Sequence, residues 1–138
     1  MPYFLAPFIA WFVSGVLKYL INYVRFKNEA KNLIGNGGFP STHTTVITTP
    51  TILVGLNEGF FSPIFGLAVA ITYIVIIDAT GLRIFVGQHA KVLNQLEYKD
   101  KKEKLRERMG HTKVEVLGGL VLGVILGYIL NIIFQSFS

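Results

Sequence analysis

The sequence predicts an all-α fold: an integral-membrane helical bundle with about four transmembrane helices and an amphipathic, charged segment between the third and the fourth. Composition is the first reason. Of 138 residues, 51% are hydrophobic and only 15% are charged, and the mean hydropathy is +0.52. A soluble domain of this size would need more polar surface. Patterning is the second reason: four apolar runs, separated by polar stretches, approach the length that crosses a bilayer. Charge is the third. Nearly all Lys and Arg fall in the loops after the first and third runs, a bias that marks cytoplasmic loops. The length allows one compact unit, so residues 1–138 are read as a single membrane-embedded domain. A net charge of +5 held in two loops points to topology and anionic partners, not to nucleic acid. With no cysteine, a disulfide framework, a thiol nucleophile and a thiolate metal site are excluded.

Pro2 to Val24 is almost unbroken apolar sequence and forms the first span. It lacks a basic n-region and a small-residue cleavage site, so it is not read as a removable signal peptide. Lys18 lies inside this run and Arg25 closes it, seven residues on and so on the same helix face. Arg25 can snorkel to the headgroups. Lys18 lies deeper, where an ionisable group marks a functional site. Phe26 to Phe39 is a polar loop. Pro40 stops any helix before it, and Ser41 or Thr42 caps a new helix running through Val46 to Leu56. This second span, Ser41 to about Asn57, is rich in threonine and has Pro50 in mid-course. Threonine hydroxyls can return to helix carbonyls and Pro50 is expected to kink the helix, so it belongs inside the bundle. After a short turn from Asn57 to Ser62, the third span begins near Pro63 and runs apolar to Ile77. Asp78, Gly81 and Arg83 follow, and the helical pattern extends to about Leu96. Glu97 to Arg108 holds six basic and four acidic residues, the mark of a solvated helix or loop. The last span, Val114 to Phe134, carries Gly119, Gly123 and Gly127 at four-residue spacing, with Gly118 beside them. Such a face lets a second helix approach closely.

The candidate chemical groups collect at one membrane face. Lys18 and Arg25 end the first span, Ser41 and His43 begin the second, Asp78 and Arg83 end the third, and His111 and Glu115 begin the fourth. Random scatter would divide such residues between the two faces. The stretch Gly37 to His43 reads as a phosphate cradle. Two glycines let an anion approach the backbone, the first amides of the helix lack internal partners, and His43 stands in that first turn as a proton donor. Read more plainly, the same stretch is a helix start whose histidine does nothing. His111 and Glu115 are four apart and share a helix face. A carboxylate on one imidazole nitrogen fixes the tautomer and raises the basicity of the other, which prepares a histidine to attack phosphorus. Alternatively, Glu115 only complements the helix dipole. His89 lies six residues after Arg83, off its face, and by pattern reads as a polar interfacial residue. Asp78 and Arg83 are five apart, so a direct pair between them is open but not forced.

In order and spacing these residues resemble the type-2 phosphatidic acid phosphatase superfamily. Its pattern is K-x6-R-P, then P-S-G-H, then S-R-x5-H-x3-D-V. Here Lys18-x6-Arg25 is followed by Pro40-Ser41-Thr42-His43, then an arginine, then His111-x3-Glu115-Val116-x-Gly118-Gly119. The run from Asp78-Ala79-x-Gly81-x-Arg83 through Leu93-Asn94 to Gly110-His111-Thr112-x-x-Glu115-Val116 looks like the small divergent branch related to acid phosphatases and vanadium-dependent haloperoxidases. The resemblance covers nearly the whole chain. It implies that Lys18, Arg25 and Arg83 hold the phosphate, that Ser41 binds it with backbone amides, and that Thr42 and Asp78 belong to the same phosphate-binding set. It implies that His43 protonates the leaving alkoxide, that a histidine forms a phosphohistidine, and that neither metal nor other cofactor is needed. Phe26 replaces the family's proline and Thr42 its glycine. Arg83-x5-His89 keeps the Arg-to-His spacing, but Leu93 stands where the acid should be. His111-x3-Glu115 keeps the acid. An insertion that splits the third motif accounts for both, with His111 as nucleophile, Glu115 as its orienter and His89 as second choice.

The leading expectation is therefore a metal-independent lipid-phosphate phosphatase of the membrane, with phosphatidylglycerophosphate or phosphatidic acid favoured over an isoprenoid pyrophosphate. A lipid-phosphate or anion transporter without turnover is the second, and a structural membrane protein the third. The expected partners are the bilayer and a membrane lipid phosphate, with a homodimer to surround the substrate and no nucleic acid. The basic loops place the site on the cytoplasmic side and both termini outside.

Overall fold

The computed structural model describes residues 2–26, 38–96 and 104–137; the side chains of Arg25 and Phe26 lie outside the description. A short 3-10 turn, Tyr3–Leu5, leads into α1, Ala6–Phe26. Then follow α2, Thr42–Glu58, α3, Pro63–Thr80, α4, Leu82–Gln95, and α5, Lys113–Ser136. No strand occurs among the described residues. Three stretches are long and apolar enough to cross a membrane: Tyr3–Val24, Pro63–Gln95 and Lys113–Ser136.

The expected second span differs from the other three. Helix α2 has only 17 residues, and threonine lowers its hydropathy. It is the central element, packed by α1, α3 and α5. Thr44, Thr45, Thr48, Thr49 and Thr51 are all buried. A buried hydroxyl needs an acceptor, and most of these find one inside their own helix. Thr45 donates to the Ser41 carbonyl and Thr49 to that of Thr45, each at 2.9 Å. Thr51 donates to the Ile47 carbonyl at 2.8 Å and lies 2.9 Å from the Thr72 hydroxyl of α3. The helix continues through Pro50. A polar helix wrapped by apolar ones needs no lipid-facing surface, and that is why its length and composition depart from those of its neighbours.

Glycines set the distance between α2 and α5. A methyl group at Gly119 would stand 2.6 Å from the Ser41 carbonyl oxygen, one at Gly123 2.6 Å from Thr48 Cβ, and one at Gly127 2.7 Å from Ile52 Cβ. The glycine stripe of α5 thus receives the Ser41–Thr48–Ile52 face of α2, the small-residue approach anticipated from its spacing. At the end of the bundle away from the histidines, Ala6, Leu53, Leu130 and Phe134 cluster with Tyr3 and Ile9. There Asn57 donates from its amide nitrogen to the Asn131 side-chain oxygen at 2.9 Å and ties α2 to α5.

Helices α3 and α4 form one apolar stretch of 33 residues. That is about 50 Å of helix, against a hydrocarbon core of roughly 30 Å. A break at Gly81 (φ −119°, ψ −86°) divides it. The extension of the helix to about Leu96 accords with the pattern in the sequence, but the interruption does not. Beyond α4, residues 97–103 of the charged segment lie outside the described residues, as do Lys27 and Lys31 of the first loop. Residues 104–110 are not helical and return along α4 towards the end of α3.

Candidate active site

Helices α2 and α5 are each fixed at the site by a side-chain cap. Ser41 caps α2: its Oγ accepts from Thr44 N at 3.4 Å and from the Thr44 hydroxyl at 2.9 Å. Among the described residues the amides of Thr42 and His43 have no protein acceptor. Thr112 caps α5 in a capping box. Its Oγ1 accepts from Glu115 N at 3.3 Å, and Glu115 Oε2 accepts from Thr112 N at 3.0 Å. Backbone bonds tie these ends together. Ser41 N donates to the Glu115 carbonyl at 2.9 Å, joining α2 to α5, and His111 N donates to the Ala79 carbonyl at 2.8 Å, joining the start of α5 to the end of α3. Gly110 makes the turn before His111 with φ +86°, in the left-handed region that favours glycine. A side chain there would also press on Ile84 and on the Ala79 carbonyl.

Two small networks face each other across this junction. In the first, Arg83 donates from Nε to Asp78 Oδ2 at 2.6 Å, and its Nη1 lies 3.2 Å from His43 Nε2. An arginine can only donate, so Nε2 of His43 accepts and its proton sits on Nδ1. In the second, His111 Nδ1 lies 3.1 Å from Glu115 Oε2. The carboxylate must accept, so His111 carries its proton on Nδ1 and leaves the Nε2 lone pair free. The two imidazole rings are 5.9 Å apart between centroids and inclined at 58°. His111 is buried, with 7% exposure. Burial holds its imidazole below its ordinary basicity; the hydrogen bond to Glu115 opposes this, and the charges of Lys18 and Arg83 reinforce it. A neutral imidazole with one nitrogen fixed and the other free, close to two cations, can attack an anionic phosphorus centre.

The structure brings Lys18, Ser41, Thr42, His43, Asp78, Arg83, His111 and Glu115 to one end of the bundle. Lys18 stands close enough for its charge to act on His111. Ser41 is fully buried and its hydroxyl serves the cap of α2. Arg25 belongs to α1, but its side chain is outside the described residues. The His89 side chain is exposed on α4, with no hydrogen bond, ion pair or ring contact among the described residues. Asp78 and Arg83 do pair. On an unbroken helix five residues apart would turn them well away from each other; the break at Gly81 resets the phase. Sequence reasoning passed over Thr112, though Thr-x-x-Glu at 112–115 is a legible capping signature. It also passed over the Ala79 carbonyl, for which no sequence signal exists. No group of three or more His, Asp or Glu residues with metal-holding geometry occurs among the described residues.

These features define a helical membrane protein with a carboxylate-oriented histidine and an arginine-bound histidine at a shared helix end. The chain belongs to the Divergent PAP2 family, which it matches over residues 1–126, the branch to which the order of its motifs points. It is also similar to the uncharacterized membrane protein YuiD of Bacillus subtilis (strain 168). The two are 28% identical over 149 aligned residues, covering 95% of this chain and 94% of the relative. No solved structure matches the chain.

Proposed function

We propose that this protein is an integral-membrane phosphatase that hydrolyses a lipid phosphate by way of a phosphohistidine. The observation that carries the proposal is the pairing of His111–Glu115 with His43–Arg83–Asp78 across a ring separation of 5.9 Å. Lys18, Arg25, Arg83 and the free amides of Thr42 and His43 bind the phosphate oxygens. A carboxylate would repel that anion, so Asp78 holds Arg83 in place instead of touching substrate. The phosphate competes with His43 for Arg83 Nη1 and frees His43 Nε2 to carry a proton. His111 Nε2 then attacks phosphorus, the bond to the lipid oxygen breaks, and His43 protonates that oxygen. Water attacks next and gives a proton to His43, the P–N bond breaks with its electron pair returning to His111 Nε2, and inorganic phosphate leaves with both histidines restored.

The same proposal makes α2 the fourth crossing. Its 17 residues extend about 25 Å, nearly the hydrocarbon thickness, and its polar side chains are shielded by α1, α3 and α5. Four crossings put both termini outside and the site on the cytoplasmic side, where phosphatidylglycerophosphate or phosphatidic acid is the favoured substrate over an isoprenoid pyrophosphate. A homodimer would add helices around the lipid. The test is direct. Detergent-solubilised protein should release inorganic phosphate from a lipid monoester with no divalent metal added, and vanadate, whose trigonal-bipyramidal form resembles the transition state, should inhibit it. Phosphate-protected cations without turnover would point to a transporter or binding protein instead. Activity lost to a chelator and restored only by a divalent ion would overturn the histidine mechanism.

A further inference from the structure

We infer that Asn94, at the end of α4, is a positioning residue for His111, acting through the non-helical segment 104–110. Its side-chain amide treats that segment as one strand treats another. Nδ2 donates to the Leu105 carbonyl at 2.8 Å, and Oδ1 accepts from Leu105 N at 2.8 Å. Nδ2 also donates to Glu107 Oε1 at 2.8 Å. Two turns earlier on the same face, buried Gly87 lies against the Glu107 carbonyl, so closely that a Cβ there would collide with it. Ile84, one further turn back, meets Gly110, and Ala79 then receives the amide of His111. The segment is therefore laid antiparallel along α4, from its last turn to the end of α3.

Length turns this contact into a constraint. Six residue steps carry the chain from Leu105 to His111, at most about 22 Å when extended, and the bond from Met109 N to the Glu107 carbonyl shortens that reach. There is little slack, so holding Leu105 at one end fixes where His111 can stand at the other. Asparagine suits the task because its amide offers a donor and an acceptor side by side. Aspartate would keep the acceptor, lose both donors and set a second carboxylate against Glu107. The contact is on the surface and contributes little to the core, so its effect is local to the segment and the histidine it delivers.

The catalytic consequence rests on reading His111 as the nucleophile; the positioning itself does not, and two readouts separate them. In Asn94→Asp, kcat for lipid phosphate should fall roughly 10- to 100-fold, the range typical of lost supporting contacts. KM should change little, because Lys18, Arg83 and the α2 amides are untouched. Independently of turnover, buried His111 in the intact purified protein should react severalfold faster with diethyl pyrocarbonate, followed by mass spectrometry. Adding Glu107→Gln returns a donor to the introduced carboxylate, and the double variant Asn94→Asp with Glu107→Gln should recover much of both properties. Gly87→Ala, which pushes the same segment away from α4, should reproduce the single Asn94 variant. If wild-type protein shows no turnover, the phosphatase proposal fails, and a faster His111 reaction in Asn94→Asp still supports the positioning. An unchanged His111 reaction rate in both Asn94→Asp and Gly87→Ala overturns it, as does a KM rise with kcat unchanged.

Discussion

The proton shared by His111 Nδ1 and Glu115 Oε2 decides which ring nitrogen can react. With His111 as the proposed nucleophile, His111→Ala should lose several orders of magnitude in turnover, while phosphate still protects the protein from unfolding. Glu115→Gln keeps a hydrogen-bonding group but loses the charge and permits the wrong tautomer; a fall of roughly 10- to 100-fold is expected. The pH profile carries a second signature. In the proposed mechanism neutral His111 is the reactive form, so activity should be lost as pH falls through its pKa. Burial sets that pKa below the ordinary histidine value, and Glu115 works in the opposite direction. The acidic limb should therefore lie below pH 6.5, the ordinary value, and Glu115→Gln should move it lower still. A limb that moves upward in that variant would contradict the assignment. His43→Ala should be slow on alkyl esters and recover on substrates with a good leaving group, which need no acid. His89→Ala should retain substantial activity. A dead His89→Ala beside an active His111→Ala would transfer the nucleophile to His89.

At the scale of elements, the contact of α2 with α5 is both the core and the floor of the site. Gly123 meets Thr48 near mid-helix, whereas Gly119 meets the Ser41 carbonyl beside the His43 turn. Gly123→Leu should overpack the interface by about 1–3 kcal/mol, visible as a lower thermal midpoint in detergent. Gly119→Ala is the smaller change but strikes backbone that cannot rotate away, and it pushes on the Ser41 N to Glu115 carbonyl bond. It should lower activity more than it lowers stability. Thr48 offers the contrast. Its Oγ1 is buried and unpaired among the described residues. Replacing a buried unsatisfied hydroxyl with a methyl removes a desolvation penalty, so Thr48→Val should leave the midpoint unchanged or raise it.

For the whole molecule, the charge of the loops carries a testable expectation of orientation. The chain lacks cysteine, so single-cysteine variants report sidedness without background. A cysteine at Asn32 or Lys102 should resist an impermeant reagent applied to intact cells, and one at Ser138 should react. These three positions lie outside the described residues. Labelling at Lys102 with protection at Ser138 would invert the topology and with it the leaflet from which substrate is drawn. It would leave the geometry of His111 and His43 untouched, so orientation and mechanism can fail separately.

Much of this was legible because it depends on neighbours in sequence. Apolar run length marks α1, α3 and α5, and the four-residue spacing of Gly119, Gly123 and Gly127 marks a close-packing face. The i, i+4 spacing of His111 and Glu115 fixes their contact, since a helix places such residues one turn apart. Ser41 as a cap follows from its place after Pro40. The rest depends on contacts distant in the chain. The Asp78–Arg83 pair needed the break at Gly81, which no periodicity announces. The inward-facing threonines of α2 looked like a span, but only the packing of three other helices shows that helix as the centre. Three histidines were candidates, and spacing alone could not rank His89 against His111. The fold brings His111, and not His89, beside His43 and Arg83, because residues 104–110 return along α4 and carry it back to Ala79. A helix records its own faces in its sequence, whereas the path of an extended segment is set by the surface that receives it.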